Sequence, residues 1–265
     1  MNPDTTCDKP GFIRFRNLSG IPGLVHGIFT RHGGVSLPPY TGLNVGWNNG
    51  DSPEHVRENL NRVKQSLAID TMIGCPQVHG DTVHIVDGKL LAGAAARPPV
   101  LVTPPGDALA TNLPDVGLLI KIADCQAIFL VDPVRGAIAN IHSGWRGSVQ
   151  DIAGKTVRAM RDHFGSRPED LLAAVSPSLG PCHAEFRNYR DELPPSFHPF
   201  QSRPLYFDFW AITRSQLTDA GLKDENIETA GRCTVCEPQH FFSYRGQGNT
   251  GRMAAVIALR NGSGK

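Results

Sequence analysis

The sequence carries no surplus of charge. Lys+Arg number 26 and Asp+Glu 25 in 265 residues, for a net charge of +1. That removes the electrostatic case for nucleic acid or an acidic membrane surface as a partner. No apolar run approaches the roughly 18 residues of a transmembrane helix, so none is expected. The opening residues, MNPDTTCDKPGF, have neither the basic stretch nor the apolar core that marks a protein for export. Cysteine is sparse: 6 in a chain this long do not make a disulfide framework, and a cytosolic setting keeps them reduced. No internal repeat is visible. These absences leave a cytoplasmic globular protein, expected to be one domain over residues 1–265, with residues 1–10 a disordered start.

The most informative stretch runs from Asp115 to Gly147. Gly117–Ile122, Ala127–Val131 and Gly136–Ile141 are short apolar runs bounded by turn residues, which suits buried strands. Asp132-Pro133-Val134-Arg135 has the polar first residue and the second-position Pro of a type I turn. If Asp132 and Arg135 close that hairpin, Cys125 lies directly across from His142. Opposed β-carbons are about 4.5–5.5 Å apart, near enough for a thiolate and an imidazole to share one ion. Ser143-Gly144-Trp145-Arg146-Gly147 then opens a helix, whose N-terminus favours an anion. Val149, Ile152, Ala153, Val157, Met160 and Phe164 extend one helical stripe up to Gly165.

Elsewhere, Leu24–Thr30 reads as a strand that enters Arg31-His32-Gly33-Gly34, a loop able to approach a ligand closely. Ser52 and Pro53 open a helix with Val56, Leu60, Val63 and Leu67 on one face. Met72–His79 and Thr82–Val86 are expected as two short strands joined by Gly80-Asp81. Residues 91–106, small and proline-rich, read as a surface connection. Leu171–Val175, Leu205–Phe207 and Met253–Leu259 are further strands, and Phe209–Leu222 a helix. Strands outnumber helices without alternating with them, which predicts a single α+β domain of mixed sheets with flanking helices.

Cys125 and His142 lead the chemical candidates, against the bland reading of a buried thiol beside a core histidine. Asp124 ends an apolar run, where an acid needs a polar purpose. A His-activated thiolate would make a metal-free hydrolase or transferase. Alternatively, His79 completes a metal set: two imidazoles and one thiolate suit Zn²⁺ with an open fourth position. The same set suits copper, though no methionine stands out as an axial ligand. Cys233-x-x-Cys236 has the spacing of a zinc or redox half-site but finds no second pair at a suitable distance. Cys182 and His183, being adjacent, are expected to point apart. Arg31, Arg62 and Arg146 are the anion-binding candidates, Arg146 gaining weight from its place in the first turn of a helix.

Taken together, the motifs resemble a known family. Thr30-Arg31-His32-Gly33-Gly34-Val35-Ser36, Leu43-Asn44-Val45-Gly46, Gln77-Val78-His79-Gly80, Ala123-Asp124-Cys125 and His142-Ser143-Gly144-Trp145-Arg146-Gly147 occur in its order. So do Cys233-Thr234, Phe241-Phe242-Ser243-Tyr244-Arg245 and Thr250-Gly251-Arg252. The chain is similar to the laccase-domain (YfiH-like) family, long labelled multicopper polyphenol oxidase, from about Phe12 to Leu259. The resemblance implies an α+β sandwich of mixed sheets and a zinc-dependent purine nucleoside phosphorylase that also deaminates adenosine. It implies a metal triad of His79, Cys125 and His142, about one zinc per chain, and purine nucleosides and phosphate as partners. Asp124 would be an orienting or proton-shuttling group, with Arg31, Asn44, Arg62 and Arg146 on the substrate side. Ser143 stands where the family usually has Ala, Gly246 where it has a second Arg, and Cys182–Phe186 matches loosely. A copper phenol oxidase and a thiol hydrolase built on Cys125 and His142 remain the rival expectations.

Overall fold

In the computed structural model, which describes residues 9–261, the Val116–Ile122 strand passes through Ala123-Asp124-Cys125 into the Gln126–Asp132 strand without pairing with it. The two lie in different sheets, and that short crossover places the chemistry. Of the expected disordered start, residues 1–8 lie outside the described residues. One sheet has seven strands, in the order Phe12–Ile13, Leu24–Phe29, Met253–Leu259, Val116–Ile122, Thr71–Gly74, Val100–Val102, Ala95–Arg97. The other has six: Ile227–Thr229, Leu172–Val175, Gln126–Asp132, Ala137–Ser143, Ala108–Thr111, Val83–Ile85. Both mix parallel and antiparallel pairs.

The sheets pack face to face. Leu118, Ile120, Ala255 and Ile257 of the first meet Ala127, Phe129, Val131 and Ile138 of the second. On the outer face of the six-stranded sheet, Ile128, Leu130, Ala139 and Ile141 are covered by Val157 and Met160 of the Ile152–Phe164 helix and Leu217 of the Phe209–Asp219 helix. Across the molecule, Leu119, Ala254 and Val256 are covered by Val56, Leu60, Val63 and Leu67 of the Pro53–Leu67 helix. The central strands are apolar at nearly every position because both of their faces are covered. The result is the expected α+β sandwich with helices outside.

Five local expectations are corrected. The hairpin closes at Asp132 and Ala137, so His142 pairs with Ala127 and not with Cys125. Gly136 adopts φ 62°, and the Asp132 carboxylate accepts the Val134 and Arg135 N–H groups, which lengthens the turn. The helix after Gly144 is two helices, Trp145–Val149 and Ile152–Phe164, broken where Asp151 turns left-handed and caps the second; Val149 is left exposed. The first of the two short strands stops at Gly74 and the second starts at Val83, each in a different sheet. Pro76 lacks a donor, and the N–H groups of Val78, His79 and Gly80 turn to the Asp107 carboxylate instead. Residues 91–106 contain the Ala95–Arg97 and Val100–Val102 strands, which extend the larger sheet through a Pro98-Pro99 turn. Finally, the close approach that Gly33-Gly34 permits is to the chain itself: a β-carbon on Gly34 would lie 2.3 Å from the Leu43 backbone.

His26 makes the fold sensitive to acid. Its Nε2 accepts the Phe15 N–H at 2.9 Å, and its ring packs against Phe15 and Phe129 at 3% exposure. Burial, then Arg14, lowers its pKa from 6.5 to about 4. The fold thus holds the neutral ring. That stabilisation is complete above pH 6.5 and is lost as pH falls through about 4, by up to about 3 kcal/mol. Urea unfolding at pH 7 and at pH 4.5 should show this acid limb, and His26→Gln should flatten it.

Candidate metal centre and its cleft

The two-residue register shift does not separate Cys125 from His142. Because side chains alternate faces, it moves the pair from directly opposed to diagonal on the same face. Cys125 is delivered by Asp124, whose φ of 84° hooks the chain from one sheet into the other. His142 sits one residue before the end of its strand, and His79, at φ 59°, in the loop after the Thr71–Gly74 strand. One ligand atom from each of His79, Cys125 and His142 lies within 4.8 Å of the others. Cys125 Sγ is 3.9 Å from His79 Nε2, and the two imidazole centroids are 4.9 Å apart at 77°. Gly144 now stands across from Cys125, and its glycine identity follows. A β-carbon there would come 2.9 Å from the thiol sulfur and 3.1 Å from His79 Cδ2.

Asp107, at the mouth of the Ala108–Thr111 strand, holds the two histidines in place. Fully buried, it bonds His142 Nδ1 at 2.8 Å through its carboxylate and accepts the N–H groups of Val78, His79 and Gly80 at 3.2, 3.0 and 2.8 Å. Its backbone carbonyl accepts the His142 N–H at 2.6 Å. Fixing Nδ1 leaves His142 Nε2 to face the cluster, the usual division of labour in a metal-binding imidazole. Burial works against charge here, but the groups overcome it together. The Cys125 thiol is held down to about 6 by His142 and His79, and His142 is raised to about 9 by Cys125 and Asp107. The two groups thus favour each other's charged form. Sequence reading passed over Asp107, although the argument applied to Asp124, an acid bordering an apolar run, fits it equally.

The triad opens into a cleft of about 810 Å³. Asp124 and Arg146 line it, while Arg31, Arg62 and Asn44 do not. The Asp124 carboxylate accepts from Thr234 Oγ1, Ser243 Oγ and the Arg245 N–H, each at 2.6 Å, and so ties two loops to the residue before Cys125. Arg31 donates to the Pro238 carbonyl and stacks on Phe242; Arg62 pairs with Glu58 and donates to the Gly33 carbonyl. Asn44 is buried, its Oδ1 accepting the N–H groups of Gly46 and Arg252, so it shapes the cleft wall from behind. Cations that sequence reading did not select line the cleft: Lys121, Arg97, Arg245 and Arg252. Burial, with Arg97 and Arg252 nearby, pulls the Lys121 ammonium down. Arg97 stacks on Trp47 and Arg146 on Trp145, whose ring also meets Phe186 edge-on.

The model of the family described as multi-copper polyphenol oxidoreductase laccase matches residues 25–260. The chain belongs to that family. Among its relatives, purine nucleoside phosphorylase YlmD of Geobacillus stearothermophilus is 34% identical over 250 residues, covering 90% of this chain and 91% of that one. Purine nucleoside phosphorylase YfiH of Escherichia coli is 33% identical over 239 residues, covering 87% and 91%. Solved structures agree. YlmD from Geobacillus stearothermophilus superposes with a TM-score of 0.82 at 32% identity over 95% of this chain and 97% of that one. YfiH of Bacillus licheniformis gives 0.81 at 30% identity, over 89% and 93%. The laccase-family sandwich expected from sequence is thus the fold observed, with side chains that could hold a metal ion converging in it.

Among the described residues no helix is long and apolar enough to cross a membrane. A second group of ligand atoms, from Cys182, His183, Cys233 and Cys236, also converges within 4.8 Å. This corrects two expectations: Cys182 and His183 do not point apart, their Sγ and Nδ1 lying 3.2 Å from each other, and they supply the second pair that Cys233 and Cys236 were expected to lack.

Proposed function

We propose that the chain is a zinc-dependent purine nucleoside phosphorylase, converting adenosine, inosine or guanosine and phosphate to base and ribose 1-phosphate, with accompanying adenosine deaminase activity in the cytoplasm. The carrying observation is a three-donor cluster in the lining of a cleft that Lys121 and several arginines also line. His79, Cys125 and His142 would hold the ion: one thiolate and two imidazoles form a zinc donor set with a position left open, and the Asp107 support is what such a set requires. Copper fits less well, since a methionine does not join the three donors among the cleft-lining residues. Bound there, zinc supplies a Lewis acid that polarises a substrate atom or lowers the pKa of water.

The remaining work falls to the chain itself. In phosphorolysis a phosphate oxygen forms a bond to C1′ as the C1′–N9 bond breaks and N9 takes a proton. Lys121, with Arg97 and Arg252 beside it, holds the phosphate, and Arg146, which also lines the cleft, is a further donor. Trp145, Phe186 and Tyr244 offer flat apolar surface to the purine. Asp107 keeps His142 in one tautomer throughout. Asp124 acts by position, since its three accepted hydrogen bonds fix the loops that carry Tyr244 and Arg245.

The test is incubation of zinc-replete protein with adenosine and with inosine, with and without phosphate, followed by chromatography. Free base and ribose 1-phosphate should appear only with phosphate, and inosine from adenosine without it. Lys121→Met should raise the KM for phosphate about tenfold, the loss of one charge-assisted contact, and leave deamination in place. Absence of phosphate-dependent product from either nucleoside would end this reading.

A further inference from the structure

We propose that Cys182, His183, Cys233 and Cys236 form a second zinc site, closed and structural, that clamps two walls of the cleft together. Four donor atoms converge there. His183 Nδ1 lies 3.2 Å from Cys182 Sγ, 3.5 Å from Cys236 Sγ and 3.6 Å from Cys233 Sγ, and the Cys182 and Cys236 sulfurs are 3.5 Å apart. Zinc bonds of about 2.3 Å to sulfur and about 2.0 Å to nitrogen, set tetrahedrally, put donor atoms roughly 3.5–3.8 Å apart. The four side chains already stand close to those spacings. Three thiols would release their protons to solvent as the ion binds, leaving a Cys₃His site with no open position.

The surroundings fit such a knuckle. Gly180 donates its N–H to Cys233 Sγ at 3.3 Å, the kind of contact that steadies a metal thiolate. A β-carbon on Gly180 would meet Cys233 Cβ at 3.0 Å and the Trp210 ring at 2.9 Å, so close approach of the two loops requires glycine. Without the ion, few bonds join these loops. A single parallel bridge, Ser178 to Cys233, is backed by hydrogen bonds between Ser178 and its neighbours Arg232 and Thr234. A disulfide between Cys182 and Cys236 is the competing fate for this cluster. It would leave His183 Nδ1 and the Cys233 thiol crowded against it with no role, whereas zinc uses all four.

The clamp has a consequence at the first centre. Leu179, on one clamped loop, donates its N–H to the Asp124 carbonyl at 2.8 Å, and Thr234 and Ser243, on or beside the other, bond the Asp124 carboxylate. Asp124 is the residue that presents Cys125. Arg245 also donates to the His183 carbonyl at 3.2 Å, which links the clamp to a cleft cation.

The experiment measures zinc per chain in full-length protein purified under reducing conditions, in the wild type, Cys125→Ser and Cys236→Ser. About two zinc ions are expected in the wild type and about one in each variant. Cobalt loaded into Cys125→Ser should show thiolate-to-metal charge transfer of three-thiolate strength, and Cys236→Ser should keep only the weaker one-thiolate signal. This inference and the proposed activity can fail separately. If the first centre holds no metal, the wild type and Cys125→Ser both carry one zinc and Cys236→Ser none, which upholds the clamp alone. Should Cys236→Ser not fold, Cys125→Ser decides: one tightly held zinc with three-thiolate cobalt absorption supports the site, and none overturns it. Unchanged zinc in Cys236→Ser, or a Cys182–Cys236 disulfide found by peptide mapping of the wild type, also overturns it.

Discussion

Cys125→Ser is expected to empty the cleft metal centre and abolish both reactions. The thiol at this position is held down to about 6, so that near neutral pH it is already a thiolate facing two imidazoles. A serine hydroxyl of nearly the same size stays protonated there and binds zinc weakly, leaving two histidines to hold the ion. Removing a direct ligand should exceed the roughly 10–100-fold loss that follows removal of an outer partner. Metal analysis together with chromatographic assay of base and ribose 1-phosphate checks it. The same protein separates the rival mechanism. A thiol hydrolase built on Cys125 and His142 would also die on this substitution, but it would survive removal of metal from the wild type, whereas the enzyme proposed here would not. Zinc retained at the cleft in Cys125→Ser would sink the ligand assignment. The pH dependence has a definite sign. Protons compete with the ion for His142, raised to about 9, and for Cys125, lowered to about 6, so affinity should begin to fall as pH drops below about 9 and fall more steeply below about 6.

How much of this was legible in the sequence depends on which contacts carry it. The long strands were plain because burial on both faces leaves them apolar at nearly every position: Met253–Leu259 is found with the expected bounds, and Val116–Ile122 within one residue of them. The Pro53–Leu67 helix announced itself through the Ser52 cap, whose side chain accepts the Glu54 N–H, and through its buried stripe. The hairpin register was misjudged by two residues because the Asp132 carboxylate and left-handed Gly136 extend the turn. The pairing of Cys125 with His142 survived that error only because a shift of two keeps both on one face. What sequence could not supply was convergence between segments far apart in the chain. Asp107 lies 35 residues from His142, and Cys182 lies 54 from Cys236, separations that no periodicity reports. Arg31 drew notice as a cation beside glycines, yet its guanidinium serves the Pro238 carbonyl and the Phe242 ring. Lys121, a single cation within the apolar Val116–Ile122 strand, was not selected, yet it is one of the cations that line the cleft.

Asp107→Asn should cripple zinc binding and stability together, and the reason lies in how many donors one carboxylate serves. The two oxygens of this fully buried side chain accept three backbone N–H groups from the His79 loop and the Nδ1–H of buried His142. An amide has one acceptor oxygen, and its NH₂ group would face donors it cannot satisfy. Burial alone would raise the Asp107 pKa, but His142 and the Gly80 and Val78 N–H groups more than reverse this and lower it. Its contribution is therefore present above the ordinary carboxylate pKa and is lost as pH falls into the acid range. Breaking a buried ionic pair on one side typically costs about 3–5 kcal/mol, and loss of an outer metal partner about 10–100-fold in affinity. Urea unfolding of the zinc-free proteins measures the first, and competition with a chromophoric chelator the second. The stability gap between wild type and variant should be widest near pH 7 and narrow on acidification, as the wild-type carboxylate protonates and loses the same bonds. The zinc proposed at Cys182, His183, Cys233 and Cys236, none of which Asp107 bonds, should be retained in the variant. A variant that binds cleft zinc as tightly as the wild type would mean that His79 and His142 find their orientation without Asp107, and the support assigned to it here would be wrong.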